Sequence, residues 1–376
     1  MLYVDHAATT PLRPEAADAM APFGTKIFGN PSGVHAVARA AKNAVEDARE
    51  RAASMIGADH PLEVVFTGGG TESDNLAVKG AAFAGDGGVV TTAVEHEAVL
   101  EAASFLRRIG KPVTVVGVGR DGAADPDEIA SAVGGSTAVV SVMAANNETG
   151  IRQPVAKVGH LVREARPGTV LHCDAVQAFV SEQVSVDDLG VDLMSLAAHK
   201  FGGPKGVGLL YVRRGVDLEP VLHGGGQEMG RRSGTHNVAA IVGMVAAMEA
   251  ASADRARLRS DVREARRRFE TSLVAEIPAV RITERRAERL LQHSHFRIPG
   301  VAAETLLIRL DGAGVAAAAG SACHSGAVTP SHVLTAMGWS ELEAAEAIRV
   351  SFGWTTRPQD GETVAAAVAA AAEDLL

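Results

Sequence analysis

The chain has 376 residues, 47% hydrophobic and 22% charged, an ordinary globular composition that excludes a mainly disordered or low-complexity state. Acidic residues outnumber basic ones 45 to 36, and the net charge of −9 argues against a whole-surface affinity for nucleic acid or anionic membrane. The longest uncharged apolar run, Val238 to Met248, is far short of the ~20 residues a membrane span needs.

In chain order, Val37, Ala41, Val45, Ala48, Ala52 and Met55 recur every three or four residues and predict a helix that Gly57 ends. Seven strand-like apolar runs follow: Glu63–Thr67, Gly88–Ala93, Val113–Val118, Thr137–Met143, Thr169–Cys173, Asp192–Ala197 and Gly206–Val212. Helical patterns lie between several of them, at Glu72–Phe83, Glu97–Ile109 and Pro154–Arg166, the last closed by Pro167-Gly168. Strands apolar on both faces and separated by helices predict an α/β fold, with a mostly parallel sheet covered on both sides. A long helical stretch, with room for a break, runs from Asn237 to about Glu276. Its arginine-rich half keeps an apolar face of Leu258, Val262, Ala265, Phe269 and Leu273, so the charge run reads as a solvated helix surface. Short strands at Ala279–Thr283, His293–Ile298, Val315–Ala319 and Ile348–Phe352 then alternate with helices, which predicts a smaller α+β domain. The expected division is a large domain over 14–250 and a small one over 251–376 that also takes 1–13.

Four segments carry candidate chemistry. Lys200 ends an apolar strand, follows His199 and opens Phe201-Gly-Gly-Pro-Lys-Gly206. It is either a Schiff-base lysine whose amine is freed by partial burial, or a surface lysine in a turn. Gly68-Gly-Gly-Thr-Glu-Ser73 follows a strand and opens a helix, a place for a phosphate, although Thr71 could simply cap the helix. Asp174 ends another strand, where a carboxylate can hold a pyridinium nitrogen protonated, as pyridoxal 5′-phosphate (PLP) requires, or serve as a helix N-cap. Cys323 lies in Ala319-Gly-Ser-Ala-Cys-His-Ser-Gly326, among small residues and beside His324, and is an accessible thiol or an incidental one.

The other cysteine, Cys173, reads as a core residue. Two distant cysteines exclude a disulfide framework and a cysteine zinc cluster. The N-terminus also lacks the pattern of a secretory signal, so a soluble, cytoplasmic protein is expected. His293-x-His295 has no further ligand nearby, and no metal site is expected.

A lysine anchor, a phosphate loop, a pyridine-nitrogen acid and a thiol together suggest PLP chemistry on a sulfur-containing substrate. The sequence resembles the cysteine desulfurases of the NifS/IscS type, in the class V aminotransferase family of fold-type I PLP enzymes. The resemblance runs from Tyr3-Val-Asp-His-Ala-Ala-Thr-Thr10 to Ile348-Arg-Val-Ser-Phe-Gly353. It passes through Gly29-Asn-Pro-Ser32, Phe66-Thr-Gly-Gly-Gly-Thr-Glu-Ser-Asp-Asn75, Glu95-His96, Asn146-Asn-Glu148, His199-Lys-Phe-Gly-Gly-Pro-Lys-Gly206, Gly224-Gly-Gly-Gln-Glu228 and Arg232-Ser-Gly-Thr235.

The resemblance implies that Lys200 carries the cofactor, His96 stacks on its ring, Asp174 pairs with the ring nitrogen and Gln177 with the phenolic oxygen. It places the phosphate on Gly70, Thr71, His199 and, across a homodimer, Thr235. It assigns Asn147 to both cofactor and substrate, Arg349 to the substrate carboxylate, and Cys323 to the sulfur as a persulfide. L-Cysteine becomes alanine, and the sulfur passes to an acceptor protein in iron–sulfur cluster assembly, tRNA thiolation or DNA sulfur modification. Two departures stand out. Ala197 occupies the place of a phosphate-binding serine in Ser195-Leu-Ala-Ala-His-Lys200, and His324 follows Cys323, a pair also similar to selenocysteine lyases. The alternatives are a selenocysteine lyase or another class V PLP enzyme, a non-catalytic nucleotide-binding module, and a scaffold that docks sulfur acceptors.

Overall fold

Each of the seven apolar runs becomes a strand of one sheet in the computed structural model, which describes residues 1–284, 287–319 and 330–376. The strands are β1 (Val64–Thr67), β2 (Gly88–Thr92), β3 (Val113–Val116), β4 (Thr137–Ser141), β5 (Val170–Asp174), β6 (Leu193–Ala197) and β7 (Gly208–Val212). Their order across the sheet is β1-β7-β6-β5-β4-β2-β3, with β7 antiparallel to both neighbours and the other pairs parallel. β1, β2, β6 and β7 are buried at every position, as strands covered by helices on both faces should be. β3 departs from that pattern. It is one of the two sheet edges, and unlike β1 at the other edge it leaves Thr114 and Val115 facing solvent.

The helices follow the apolar periodicity. α1 (Ala36–Ile56) buries Ala41, Val45, Ala48 and Ala52 and stops at left-handed Gly57. α2 (Gly70–Ala84) follows β1, α3 (Glu97–Arg108) follows β2, and α4 (Val155–Ala165) precedes β5. The long stretch after Asn237 breaks at Asp254 into α5 (Val238–Ala253) and α6 (Arg255–Glu276). α5 is apolar nearly all round because it is enclosed between α1 and the short helix Pro14–Met20. In α6 the five predicted apolar residues are buried, while Arg257, Arg267 and Arg268 pair with Asp254, Asp261 and Glu264 near solvent. Among the described residues, no helix is long and apolar enough to cross a membrane.

A second core gathers α6, α7 (Ala303–Gly312), α8 (Asp360–Ala372) and the antiparallel strands β8 (His293–Arg297) and β9 (Ala347–Ser351). The N-terminus joins it, because Leu2–Tyr3 pairs in parallel with Val315–Ala316 and Val4 is buried there.

Between β7 and α5 the chain turns through Glu228 and Met229, non-glycine residues at φ +48° and +59°. A fully buried carboxylate holds this turn. Glu228 accepts from Arg49 Nη1 (2.7 Å) and Nη2 (2.8 Å), Phe66 N (2.9 Å) and His236 Nε2 (2.6 Å). Burial alone would raise the Glu228 carboxyl, but the Arg49 and His236 hydrogen bonds outweigh it and hold the pKa at about 2. The ordinary value is 4.5, so this stabilisation is complete above that pH and is lost as pH falls through about 2. Its size is roughly 3 kcal/mol. Glu228→Gln should therefore lower stability at pH 7 by about that amount in urea melts and flatten the acid limb. An unchanged midpoint at pH 7 would show that the pair does not hold the turn.

Candidate active site

The carboxyl ends of β1, β2, β4, β5 and β6 open on one cavity of about 250 Å³, the usual position for a ligand in an α/β sheet. Eight of the eleven residues expected from the sequence line it. Gly70 and Thr71 come from the start of α2, His96 from the start of α3, and Asn147 from the loop after β4. Asp174 and Gln177 lie at and just beyond the end of β5, and His199 and Lys200 just beyond β6. Ala197 lines it too, where the serine of the resembled motif would stand.

The Lys200 ammonium donates to the carbonyls of Ala7 (2.7 Å) and Ala8 (2.9 Å). Burial, reinforced by Arg349 and opposed by Asp174 and Asp5, lowers its pKa to about 8, so a neutral amine comes within reach of physiological pH. Asp174 accepts from Val176 N (2.9 Å); burial raises its pKa against the opposing pull of His96, that hydrogen bond and Lys200. His96 caps α3, its Nδ1 accepting from Ala98 N (3.1 Å), which leaves the ring proton on Nε2. Burial, aided by Lys200 and Lys205, brings His199 down to about 4.

Asn147 is presented by a turn that Asn146 braces. The Asn146 amide donates to Val94 O (2.9 Å), and its Oδ1 accepts from Glu148 N and Thr149 N (both 2.9 Å). Arg349, on β9, is buried beside this turn and does not line the cavity. Its Nη1 donates to Asn147 O (2.9 Å) and its Nη2 to Asp5 Oδ1 (2.6 Å), while buried Nε has no partner among the described residues. Thr235 is exposed on the turn before α5 and does not line this cavity. Cys323 and His324 lie outside the described residues. Cys173 is fully buried on β5, where burial and then Asp174 push its thiol far up, so the core reading describes its surroundings. His293 and His295 are buried on β8, and among the described residues no cluster of three or more His, Cys, Asp or Glu could hold a metal ion.

Sequence reasoning missed the N-terminal strap. Besides holding Lys200, the Ala7 carbonyl accepts from Gln177 Nε2 (2.9 Å), and Thr9 Oγ1 meets His199 Nδ1 (3.1 Å). The motif Tyr3–Thr10 was visible, but a backbone carbonyl has no side-chain signature. Glu95 and Glu148 were missed as well. Burial brings them to about 8 and about 7, although Glu95 accepts from Thr92 Oγ1 and Met143 N and Glu148 from Ser331 Oγ.

The donor set fits a pyridine ring bearing an aldehyde and a phosphate. The start of α2 supplies backbone N–H groups and the Thr71 hydroxyl at one end, a carboxylate stands at the end of β5, and an amine of lowered pKa at the end of β6. Gly70 keeps the start of α2 close-packed, since a Cβ there would lie a tight 3.3 Å from both Ala197 Cβ and Val176 Cγ2. Strand order and the placement of that lysine and carboxylate put the chain in the fold-type I class of PLP enzymes.

Comparison with known proteins narrows the class. The family model "Aminotransferase class-V" matches residues 2–364. A "Cysteine desulfurase IscS" of Dictyoglomus turgidum is 42% identical over 96% of this chain and 91% of its own. A solved structure titled "NIFS-LIKE PROTEIN" is 34% identical with TM-score 0.93 over all of both chains. Another, "SspA in complex with cysteine", is 34% identical with TM-score 0.81 over 94% of this chain and 99% of its own. The chain belongs to the class-V aminotransferase family and, within it, to the cysteine desulfurases.

Proposed function

We propose that this cysteine desulfurase binds PLP in the 250 Å³ cavity, takes L-cysteine as substrate, and carries the abstracted sulfur on Cys323. The single observation that carries the reading is the convergence of Lys200, Asp174, His96 and the start of α2 on one cavity. When bound, PLP supplies an aldehyde and an electron-withdrawing ring that weaken the bonds at the amino acid's α-carbon. Gly70, Thr71 and His199 would hold the phosphate, joined by Thr235 of the partner subunit in a homodimer, which suits its exposed position. Asp174 would face the ring nitrogen, Gln177 the phenolic oxygen and His96 the ring face. Gln177 has a second amide hydrogen free for this beyond the one given to Ala7.

Arg349 and Asn147 receive the substrate carboxylate, with Arg349 Nε as a donor already stripped of water. Asp5 keeps that guanidinium in place. Lys200 would hold the cofactor through its aldehyde, and its amine Nζ, with its pKa lowered to about 8, would take the α-proton of the substrate. The Cys323 thiolate then attacks the substrate sulfur and breaks its bond to carbon, so the products are alanine and a Cys323 persulfide, which an acceptor protein consumes. The names of the relatives favour cysteine over selenocysteine as the substrate.

Incubation with L-cysteine under reductant-free conditions, followed by mass analysis of the Cys323 peptide, tests the reading. One added sulfur on Cys323 with an equivalent of alanine is expected. Alanine with no sulfur on that peptide would show that the sulfur leaves by another route.

A further inference from the structure

Resting on the PLP reading above, we propose that Asp74 is a second carboxyl group on the cofactor cavity and that it stays protonated. A neutral chain through Ser195, His172 and Ser141 backs it, leaving Asp174 as the one negative charge that faces the cofactor.

Asp74 lies one turn after Gly70 on α2, hence on the same helix face, and it lines the same cavity as Asp174. The two are 2% and 7% exposed, and the charge of Asp174 acts on Asp74. Two carboxyl groups that interact in a dry site do not both ionise. Their surroundings decide which keeps the proton. Asp174 accepts a backbone hydrogen bond from Val176 and lies in the field of His96 and Lys200, all of which favour its anion. Asp74 has less support, a single Ser195 hydrogen bond: its buried Oδ1 lacks a hydrogen-bond partner among the described residues, 3.6 Å from His172 Nε2.

The groups behind Asp74 are uncharged. Ser195 Oγ stands 3.0 Å from His172 Nε2, and His172 Nδ1 stands 2.8 Å from Ser141 Oγ. Burial takes His172 down to about 3, so the imidazole is neutral and offers no cation to an Asp74 anion. Burial first, then Asp174 and Glu95, push the Asp74 carboxyl well up; the Ser195 hydrogen bond is the one influence in the other direction. This also gives Ser195 a role. Its hydroxyl belongs to the buried chain, whereas the residue two places on that reaches the cavity is Ala197.

An uncharged acid and an amide of the same shape should be interchangeable. The test compares wild type, Asp74→Asn and Asp174→Asn as apoproteins titrated with PLP. Absorbance reads the dissociation constant, and calorimetry in buffers of different ionisation enthalpy reads the protons exchanged on binding. Asp74→Asn should bind PLP within about threefold of wild type with the same proton count, whereas Asp174→Asn should bind tenfold or more weakly. Ser195→Ala, which removes the one influence favouring an Asp74 anion, should likewise leave the proton count unchanged, and it serves if Asp74→Asn does not fold. A loss of affinity in Asp74→Asn as large as in Asp174→Asn, or a changed proton count in either Asp74→Asn or Ser195→Ala, would show that Asp74 is ionised and overturn the proposal. Failure of wild-type apoprotein to bind PLP would instead overturn the cofactor assignment.

Discussion

Lys200→Ala should reduce cysteine turnover by on the order of 10³-fold or more while the protein still takes up PLP. The size follows from what surrounds the amine. Its hydrogen-bond partners are the carbonyls of Ala7 and Ala8, which accept protons' hydrogen bonds but cannot themselves take a proton from carbon. Among the described residues no other lysine lines the cavity. The nearby bases are poor substitutes: burial holds His96 and His199 at lowered pKa values, and a weak base close by does not match an amine at about 8. Cofactor uptake should survive, because the start of α2 and Asp174 remain. The separating measurement is borohydride reduction followed by peptide mapping, which should fix the cofactor to Lys200 in wild type and to nothing in the variant. Wild-type turnover in Lys200→Ala would refute the assignment.

The parts of this site that could be read from the sequence are those where a chemical group stands at a strand end. Lys200 and Asp174 each close a run of apolar residues, and such runs become buried strands whose carboxyl ends face a common crevice. Gly70 and Thr71 were legible for the same reason, as the step from strand to helix. Asp74 was not. It sits between Ser73 and Asn75 and looks like solvent-facing helix, and only its spacing of four from Gly70 hinted that it turns toward the sheet. The strap at Ala7 and Ala8 acts through carbonyl oxygens, which any residue possesses. The Asp5–Arg349 pair spans almost the whole chain, and its one local signal was a charged residue in a fully buried strand. The exposed face of β3 was misjudged because edge position depends on strand order, which local composition does not encode.

Cys323→Ser should bind PLP and cysteine normally, yet form no persulfide and lose alanine production by on the order of 10³-fold. The chain has two cysteines, and the structure disqualifies one of them. Cys173 is enclosed on β5, and burial together with Asp174 and Glu95 keeps its sulfur protonated, so it cannot supply the thiolate the transfer requires. On the proposed reading Cys323 is then the acceptor. A serine hydroxyl in its place keeps the size but is neither ionised at neutral pH nor able to form a sulfur–sulfur bond. Cys173→Ser should behave in the opposite way. It places a hydroxyl in a site with 0% exposure, which costs roughly 1–3 kcal/mol of stability in a denaturant melt if the group finds no partner, and it should leave a persulfide on Cys323. Measuring alanine and persulfide in both variants makes each the control for the other. Undiminished alanine from Cys323→Ser would mean that sulfur departs without a protein thiol. A persulfide lost only in Cys173→Ser, with the fold intact, would move the carrier to β5.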